Sequence, residues 1–405
     1  MKVLLCTDRY FPAISGVVTS VMTLKKYLEL LGHEVKVLTL SEDTTTHVNG
    51  DIVYIGSFDA DKIYPDVRIK HPVNRAHIDR LINWKPDVIH CNTEFSTFFL
   101  AKHIYRACRC PMVLTYHTDY EDYVHYVALS KKFGRILLKH YISYVSGYMT
   151  YLICPTEKTA RQITGYGIKT PLRIIPTGLD LERFLAVPGE EALDEIRQHY
   201  GISKDLKTII YLGRLGKEKN IIQLVDYLGG YADKPFQFVI IGDGPDRREI
   251  EEHVNRSPIS SKVIFTGMIE QERVPLFYKL GDIFISASTS ETQGLTYIEA
   301  MAAGTPLLCR KDKCLDGVVD DGNNSYLFET KDEFKTKLEY YFTNPELHPE
   351  MSRKAQQTVI DKFGAERFAS AMQSLYEDAI REYRPHNALF FSPVYHKIMN
   401  MFPWI

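Results

Sequence analysis

Ser290-Glu291-Thr292-Gln293-Gly294-Leu295-Thr296-Tyr297-Ile298-Glu299-Ala300-Met301-Ala302-Ala303-Gly304-Thr305-Pro306 joins two short apolar runs, Asp282–Ser286 and Pro306–Cys309. The runs read as buried strands, and the stretch between them as a loop, a glycine turn and a helix beginning near Gly294. A strand, a helix and a further strand in this order make a βαβ unit. Glu291 and Glu299 lie eight positions apart on either side of the turn. The first helical amides point back toward the loop carrying Glu291, and with the helix dipole they suit an anionic or polyhydroxylated ligand. Glu299, about one turn into the helix, can accept hydrogen bonds from a vicinal diol. This combination reads as a site for a phosphorylated sugar. Read in isolation, the same acids also suit a first helical turn on dipole grounds alone.

The pattern repeats along the chain. Lys2–Thr7, Glu34–Leu40, Asp87–Cys91, Met112–Tyr116, Tyr151–Cys154 and Leu172–Ile175 are short, apolar and bounded by turn residues, as buried parallel strands are. Helical patterns such as Val17–Leu31 and Glu94–Arg106 separate them. After Pro176-Thr177-Gly178-Leu179-Asp180 the alternation restarts, with strands expected at Thr208–Leu212, Gln237–Ile241 and Lys262–Thr266 before the pair above. A chain of 405 residues exceeds one compact core. Two doubly wound α/β domains are expected, covering 1–176 and 177–383, with the segment 384–405 crossing back to the first. Ligands of such sheets bind beyond the carboxyl ends of the strands, so a cleft between the domains is the expected site. Ser41–Pro72 is polar and irregular and receives no assigned elements. The tail from Arg384 carries Phe390, Phe391, Tyr395, Phe402 and Trp404, aromatics suited to packing or to lipid contact.

Composition narrows the class. Hydrophobic residues make up 45% and charged residues 25% of the chain, as in ordinary globular proteins. The net charge of −2 hides an asymmetry: Met1–Asp180 holds 22 Lys and Arg against 17 Asp and Glu, and the remainder 27 against 34. A basic first half suggests that one domain faces an anionic surface. The seven cysteines are scattered, and Cys108-Arg109-Cys110 has no second pair at zinc spacing, so free thiols in a reducing compartment are expected. Met1 leads directly into a strand-like run, so no signal peptide is expected. No stretch reaches the roughly 18 apolar residues of a membrane span.

Tyr211-Leu212-Gly213-Arg214-Leu215-Gly216-Lys217-Glu218-Lys219-Asn220 leaves a strand through two glycines and enters a helix. Arg214 and Lys219, at a strand's carboxyl end, can converge on a diphosphate and stabilise its charge as it departs. They make a bound metal unnecessary, and no Asp-x-Asp accompanies them in this half of the chain. Gly16 opens the first helix after Pro12-Ala13-Ile14-Ser15, a position where backbone amides meet an anion or simply turn. Gly242-Asp243-Gly244-Pro245 reads as a turn and helix start. His117, in Tyr116-His117-Thr118-Asp119-Tyr120, ends a strand of the first domain. It can contact a reacting sugar or serve the framework, with Asp119 as the fallback. In Lys131–Tyr141, Lys131, Lys132, Arg135, Lys139 and His140 alternate with apolar residues at near-helical spacing. Lys132, Arg135, Lys139 and His140 share one face and Phe133, Ile136, Leu137 and Tyr141 the other, as in a helix lying on an anionic bilayer. An ordinary amphipathic helix has the same pattern.

Together these residues resemble the retaining glycosyltransferases of family 4, of GT-B fold, over nearly the whole chain. The Glu291/Glu299 spacing and the Arg214/Lys219 pair carry the resemblance, supported by Ser15-Gly16-Val17-Val18 and Pro176–Asp180. Within the family, Ile14–Val21 and Tyr116–Tyr120 look most like the bacterial diacylglycerol glucosyltransferases. Gln293-Gly294, where many members have Phe-Gly, fits the lipid enzymes. The resemblance implies two Rossmann-like domains facing across a cleft, a UDP-sugar donor and a diacylglycerol acceptor. Glu299 would hold the ribose, and Arg214 and Lys219 the diphosphate with help from Gly16 amides. Glu291 and the amides of Gly294, Leu295 and Thr296 would bind the sugar and distal phosphate, with His117 near the anomeric carbon. Lys131, Lys132, Arg135 and Lys139 would meet the membrane on its cytoplasmic side. No cofactor, bound metal or nucleic-acid partner is expected. Alternatives are a soluble family 4 transferase acting on a glycan, which would ignore anionic vesicles, and a UDP-sugar epimerase, which would need no acceptor. A membrane-surface protein without activity is a third, opposed by the intact set of four charged residues.

Overall fold

The computed structural model describes residues 1–59, 68–71, 75–118 and 131–385, with backbone alone at 131–133. The chain forms two compact units, Met1–Gly178 together with the chain from Ala365, and Leu179–Gly364. The restart expected at 176/177 thus falls at 178/179. The return to the first unit comes at Ala365 instead of Arg384.

The first unit holds an eight-stranded sheet in the order Leu172–Ile174, Tyr151–Cys154, Met112–Thr115, Val88–Cys91, Lys2–Cys6, Glu34–Leu40, Ile52–Ile55, His47–Asn49. All neighbours are parallel except the last pair. Side chains alternate across a strand, and the sequence uses both faces. Val3, Leu5, Val88 and Val113 join one core with the helices Gly16–Leu30 and Ala365–Glu382. Leu4, Cys6, Ile89 and Leu114 join another with the helices Ser96–Cys108, Lys131–Ser146 and Glu157–Gly165. That explains why the strands read as continuous apolar runs.

The second unit repeats the plan with six parallel strands in the order Val263–Gly267, Phe236–Ile241, Lys207–Leu212, Ile283–Ser286, Leu307–Arg310, Tyr326–Phe328. Its two faces are again filled by alternating residues, Ile210, Val239 and Phe284 against Ile209, Phe238 and Ile283. Every strand expected from the sequence is present within two residues. The unassigned Ser41–Pro72 stretch supplies Ile52–Ile55, His47–Asn49 and the hairpin Ser57–Asp59/Arg68–Lys70. Tyr326–Phe328 was also not anticipated.

The helix that returns to the first unit, Ala365–Glu382, buries Ala365, Phe368, Ala369, Met372, Leu375, Tyr376 and Ala379. That stripe at spacings of three and four accounts for the earlier crossing point. Residues from 386 onward, with the aromatic tail, lie outside the described residues, as does Asp119.

At the carboxyl edge of the second sheet, two strand ends meet backbone to backbone. Gly213 N–H donates to the Ile241 carbonyl at 3.0 Å, and Leu215 N–H to that of Asp243 at 2.9 Å. A Cβ on Gly242, whose φ is +127°, would stand 2.1 Å from the Gly213 carbonyl oxygen. Gly242→Ala is therefore expected to cost about 3 kcal/mol or more, measured as a fall in the urea midpoint at unchanged slope.

Candidate functional site

Beyond Leu212 the chain turns through Gly213 and Arg214 into a short 3-10 turn, Lys217–Lys219. Three further bonds hold this loop. The buried Tyr211 hydroxyl donates to the Arg214 carbonyl at 3.0 Å, Asp246 N–H donates to the Leu215 carbonyl at 3.0 Å, and Asn220 Nδ2 donates to the Ala287 carbonyl at 3.1 Å. Asn220 sits in the left-handed region at φ +51°, a conformation that asparagine tolerates. The turn expected at Gly242–Pro245 is present, and it does more than start a helix: it braces the Arg214 loop.

Two ion pairs close over this edge. Lys219 Nζ lies 2.6 Å from Glu291 Oε1, and Arg214 Nη2 lies 2.6 Å from Glu218 Oε1. All four side chains are less than one third exposed. Both carboxylates push the buried Tyr211 phenol above its ordinary pKa, after burial itself. The structure thus brings Lys219 and Glu291 together, a pairing the sequence reading did not make. It also adds Glu218, which the sequence reading passed over because Lys-Glu-Lys resembles a solvated turn.

Gly294 takes φ +74° and caps the helix Leu295–Ala302. A Cβ there would fall 2.4 Å from the Tyr297 ring. The first bonds of this end are Tyr297 N–H and Ile298 N–H to the Gly294 carbonyl, so the Leu295 and Thr296 amides precede them. Further in, Glu299 Oε2 accepts from the Tyr278 hydroxyl at 2.9 Å. Burial raises the Glu299 carboxyl to about 7, against the lowering effects of Tyr278 and Arg183.

The first unit gathers polar groups at the same edge of its own sheet. Asp8 accepts from Ser96 N–H at 3.1 Å and Thr97 N–H at 2.7 Å, capping the helix Ser96–Cys108 from a different part of the chain. His117 Nε2 lies 3.1 Å from Asn92 Oδ1, and burial lowers its pKa to about 4. Its neighbour His90 is fully buried between Tyr376 and Thr115, each 2.7 Å away, and falls to about 3. Asp8 and Asn92 went unnoticed in the sequence, and the signal available was their place directly after strands. Gly16 begins its helix, where the Ser15 hydroxyl accepts from Val18 N–H.

The basic helix forms as Lys131–Ser146. Arg135, Lys139 and His140 are exposed, Leu138 and Tyr141 half-buried, and Ile142 and Val145 buried. The side chains of Lys131, Lys132 and Phe133 lie outside the described residues. Ile136 corrects the expectation: it is 48% exposed and shares the cationic surface with Arg135 and Lys139. A turn of 100° per residue sets the core stripe at 138, 141, 142 and 145, leaving 136 outside it. Among the described residues no helix is long and apolar enough to cross a membrane.

Glu299 gives a test independent of any ligand. Its folded pKa lies above the ordinary 4.5, so its contribution to stability is full at low pH and is lost as pH rises toward and past 7. Glu299→Gln keeps the shape and removes the charge. It is expected to stabilise the fold by about 1–3 kcal/mol at pH 8 and by almost nothing at pH 4, read from denaturant unfolding at the two pH values.

Residues 14–183 match the model for Glycosyltransferase Family 4, and residues 193–358 match that for Glycosyl transferases group 1. The α-monoglucosyldiacylglycerol synthase of Streptococcus pneumoniae is 35% identical over 390 residues, 94% of this chain and 86% of that protein. The enzyme of the same name from Acholeplasma laidlawii is 33% identical over 94% of this chain and 98% of its own. Among solved structures, Anabaena HepE in complex with UDP and glucose has the same fold, with a TM-score of 0.73 at 15% identity over 93% of this chain and 100% of that one. The chain belongs to the family 4 glycosyltransferases and has their GT-B fold, two Rossmann-like parallel-sheet domains.

Proposed function

We propose that this glycosyltransferase moves a hexose, glucose, from UDP-glucose to diacylglycerol at an anionic membrane surface, with retention, giving an α-glucosyl diacylglycerol. The observation that carries the reading is the 33–35% identity, across 94% of the chain, to two enzymes named α-monoglucosyldiacylglycerol synthase. The paired cations at the second sheet's edge supply the matching chemistry.

On this reading Glu299 accepts hydrogen bonds from the ribose diol, which its ionised form does best. Arg214 and Lys219 turn from their carboxylates to the diphosphate, assisted by the amides at Gly16. Glu291 and the amides of Gly294, Leu295 and Thr296 serve the sugar and the distal phosphate. The acceptor hydroxyl attacks the anomeric carbon on the face that UDP leaves. The carbon–oxygen bond to UDP breaks as the new glycosidic bond forms, and the departing phosphate oxygen takes the acceptor proton. Charge grows on that phosphate, and two fixed cations oppose it. His117, with a pKa near 4, is neutral at pH 7 and acts toward the sugar as a hydrogen-bonding group rather than a cation.

The direct test is transfer of label from UDP-glucose to diacylglycerol in mixed micelles, with and without anionic phospholipid. Labelled lipid formed in the presence of the anionic component is the expected result. UDP release without labelled lipid, whatever the surface, would remove the acceptor assignment. Arg214→Ala or Lys219→Ala is expected to lower turnover by about 2–4 kcal/mol, some 30- to 1000-fold, and a near-wild-type rate would exclude that residue. Because the diphosphate charge is met by side chains, activity should survive a chelator such as EDTA, and its loss with recovery on adding magnesium would point to a bound metal.

A further inference from the structure

The basic helix Lys131–Ser146 and the next helix, Glu157–Gly165, follow one another around the strand Tyr151–Cys154. Both are anchored in one core, through Ile142 and Val145 on the first and Ala160 and Ile163 on the second. Their outer surfaces leave a groove of about 400 Å³, lined by Arg135, Ile136, Lys139, Arg161, Gln162 and Tyr166. Three cations face this space, and among the described residues no acid lines it. Among the described residues neither Lys139 nor Arg161 takes part in an ion pair. A Cβ on Gly167, just past the second helix, would lie 3.9 Å from Lys139 Nζ, so that ammonium reaches across to the neighbouring segment.

We propose that this groove binds the phosphate of an anionic phospholipid as a discrete headgroup site. Arg161 presents a planar fork that suits a phosphate bidentately, and Lys139 and Arg135 add positive charge. The Gln162 amide donates to the Tyr166 hydroxyl at 3.3 Å, which places neutral polar groups on the same wall. Ile136, 48% exposed, puts an apolar side chain beside the charges. That neighbour favours a lipid-borne phosphate over a free one, because it gains only where acyl chains or the headgroup boundary cover it. The inference rests on the reading that this enzyme works at a membrane surface. It goes further in making one headgroup, rather than diffuse surface charge, the recognised feature, and in bringing in Arg161 from outside the basic helix.

The test compares binding of the full-length protein to phosphatidylcholine vesicles carrying either phosphatidylglycerol or the same negative charge as oleate. The proteins are wild type, Arg161→Gln, Arg161→Lys and Arg106→Gln. Arg106 is an exposed cation of the helix Ser96–Cys108 and controls for net charge. Wild type is expected to prefer phosphatidylglycerol. Arg161→Gln should weaken binding to it about fivefold or more and erase the preference. Arg161→Lys, which keeps the charge and loses the fork, should erase the preference alone, and Arg106→Gln should change neither. Equal losses in Arg161→Gln and Arg106→Gln, or no headgroup preference in wild type, would overturn the site in favour of diffuse attraction. Binding of free glycerol 3-phosphate with no vesicle preference would overturn the lipid source. Vesicle binding involves no transfer step. A loss in Arg161→Gln in a protein that makes no glucosyl lipid would keep the groove and discard the acceptor, while the reverse outcome would do the opposite.

Discussion

Backbone packed against backbone at the end of two strands is the constraint on which the course of the Arg214 loop depends. Gly242 and Gly213 approach so closely that a single added carbon would overlap a carbonyl oxygen. With that contact in place, the loop after Leu212 has one course, and Tyr211, Asp243 and Asp246 hold it there by hydrogen bonds. Arg214 and Lys219 then sit on a rigid edge instead of a mobile turn, so that little ordering entropy remains to be lost when an anion arrives. Each cation already has a carboxylate, Glu218 or Glu291, and the four charges sum to zero. On the proposed reading, an incoming diphosphate competes with these partners, and the same partners take the cations back when it leaves, which would moderate affinity for product as well as substrate.

The first unit is organised by buried polar groups. His90 and His117 have lost their basicity to burial, and Asp8 spends its carboxylate on two helical amides. That sheet's edge thus carries buried polar groups held in place by hydrogen bonds, with the acids Asp8 and Glu94 among them. Part of the positive charge of this unit lies elsewhere, on the helix Lys131–Ser146 and its neighbour. On the proposed reading, chemistry and surface attraction fall to different elements. The return helix Ala365–Glu382 adds to this frame, since Tyr376 both fills the core and bonds to His90.

Much of this was legible in the residues. Buried parallel strands announce themselves as short apolar runs because helices cover both faces, and both sheets were found on that signal. The turn at Gly294 and the helix carrying Glu299 were legible from the residues between the two acids. Strands of three residues, such as Tyr326–Phe328 and His47–Asn49, carry too little pattern to stand out from loops. Glu218 was missed because its neighbours in sequence are lysines, while its partner is the arginine four residues back around a turn. Ile136 was assigned to the wrong face because near-helical spacing was judged by residue type, whereas the core stripe is fixed by which positions meet Leu138, Ile142 and Val145. The crossing point was placed at the aromatic tail, although the stripe from Phe368 to Ala379 was the stronger apolar surface.

A structure of the protein with UDP bound decides whether the paired cations hold the diphosphate, through the distances from Arg214 and Lys219 to the phosphate oxygens. Both cations are expected to leave Glu218 and Glu291 and donate to the diphosphate at roughly 2.7–2.9 Å, with the Glu299 carboxylate on the ribose. A diphosphate bound elsewhere, with both ion pairs intact, would contradict that assignment.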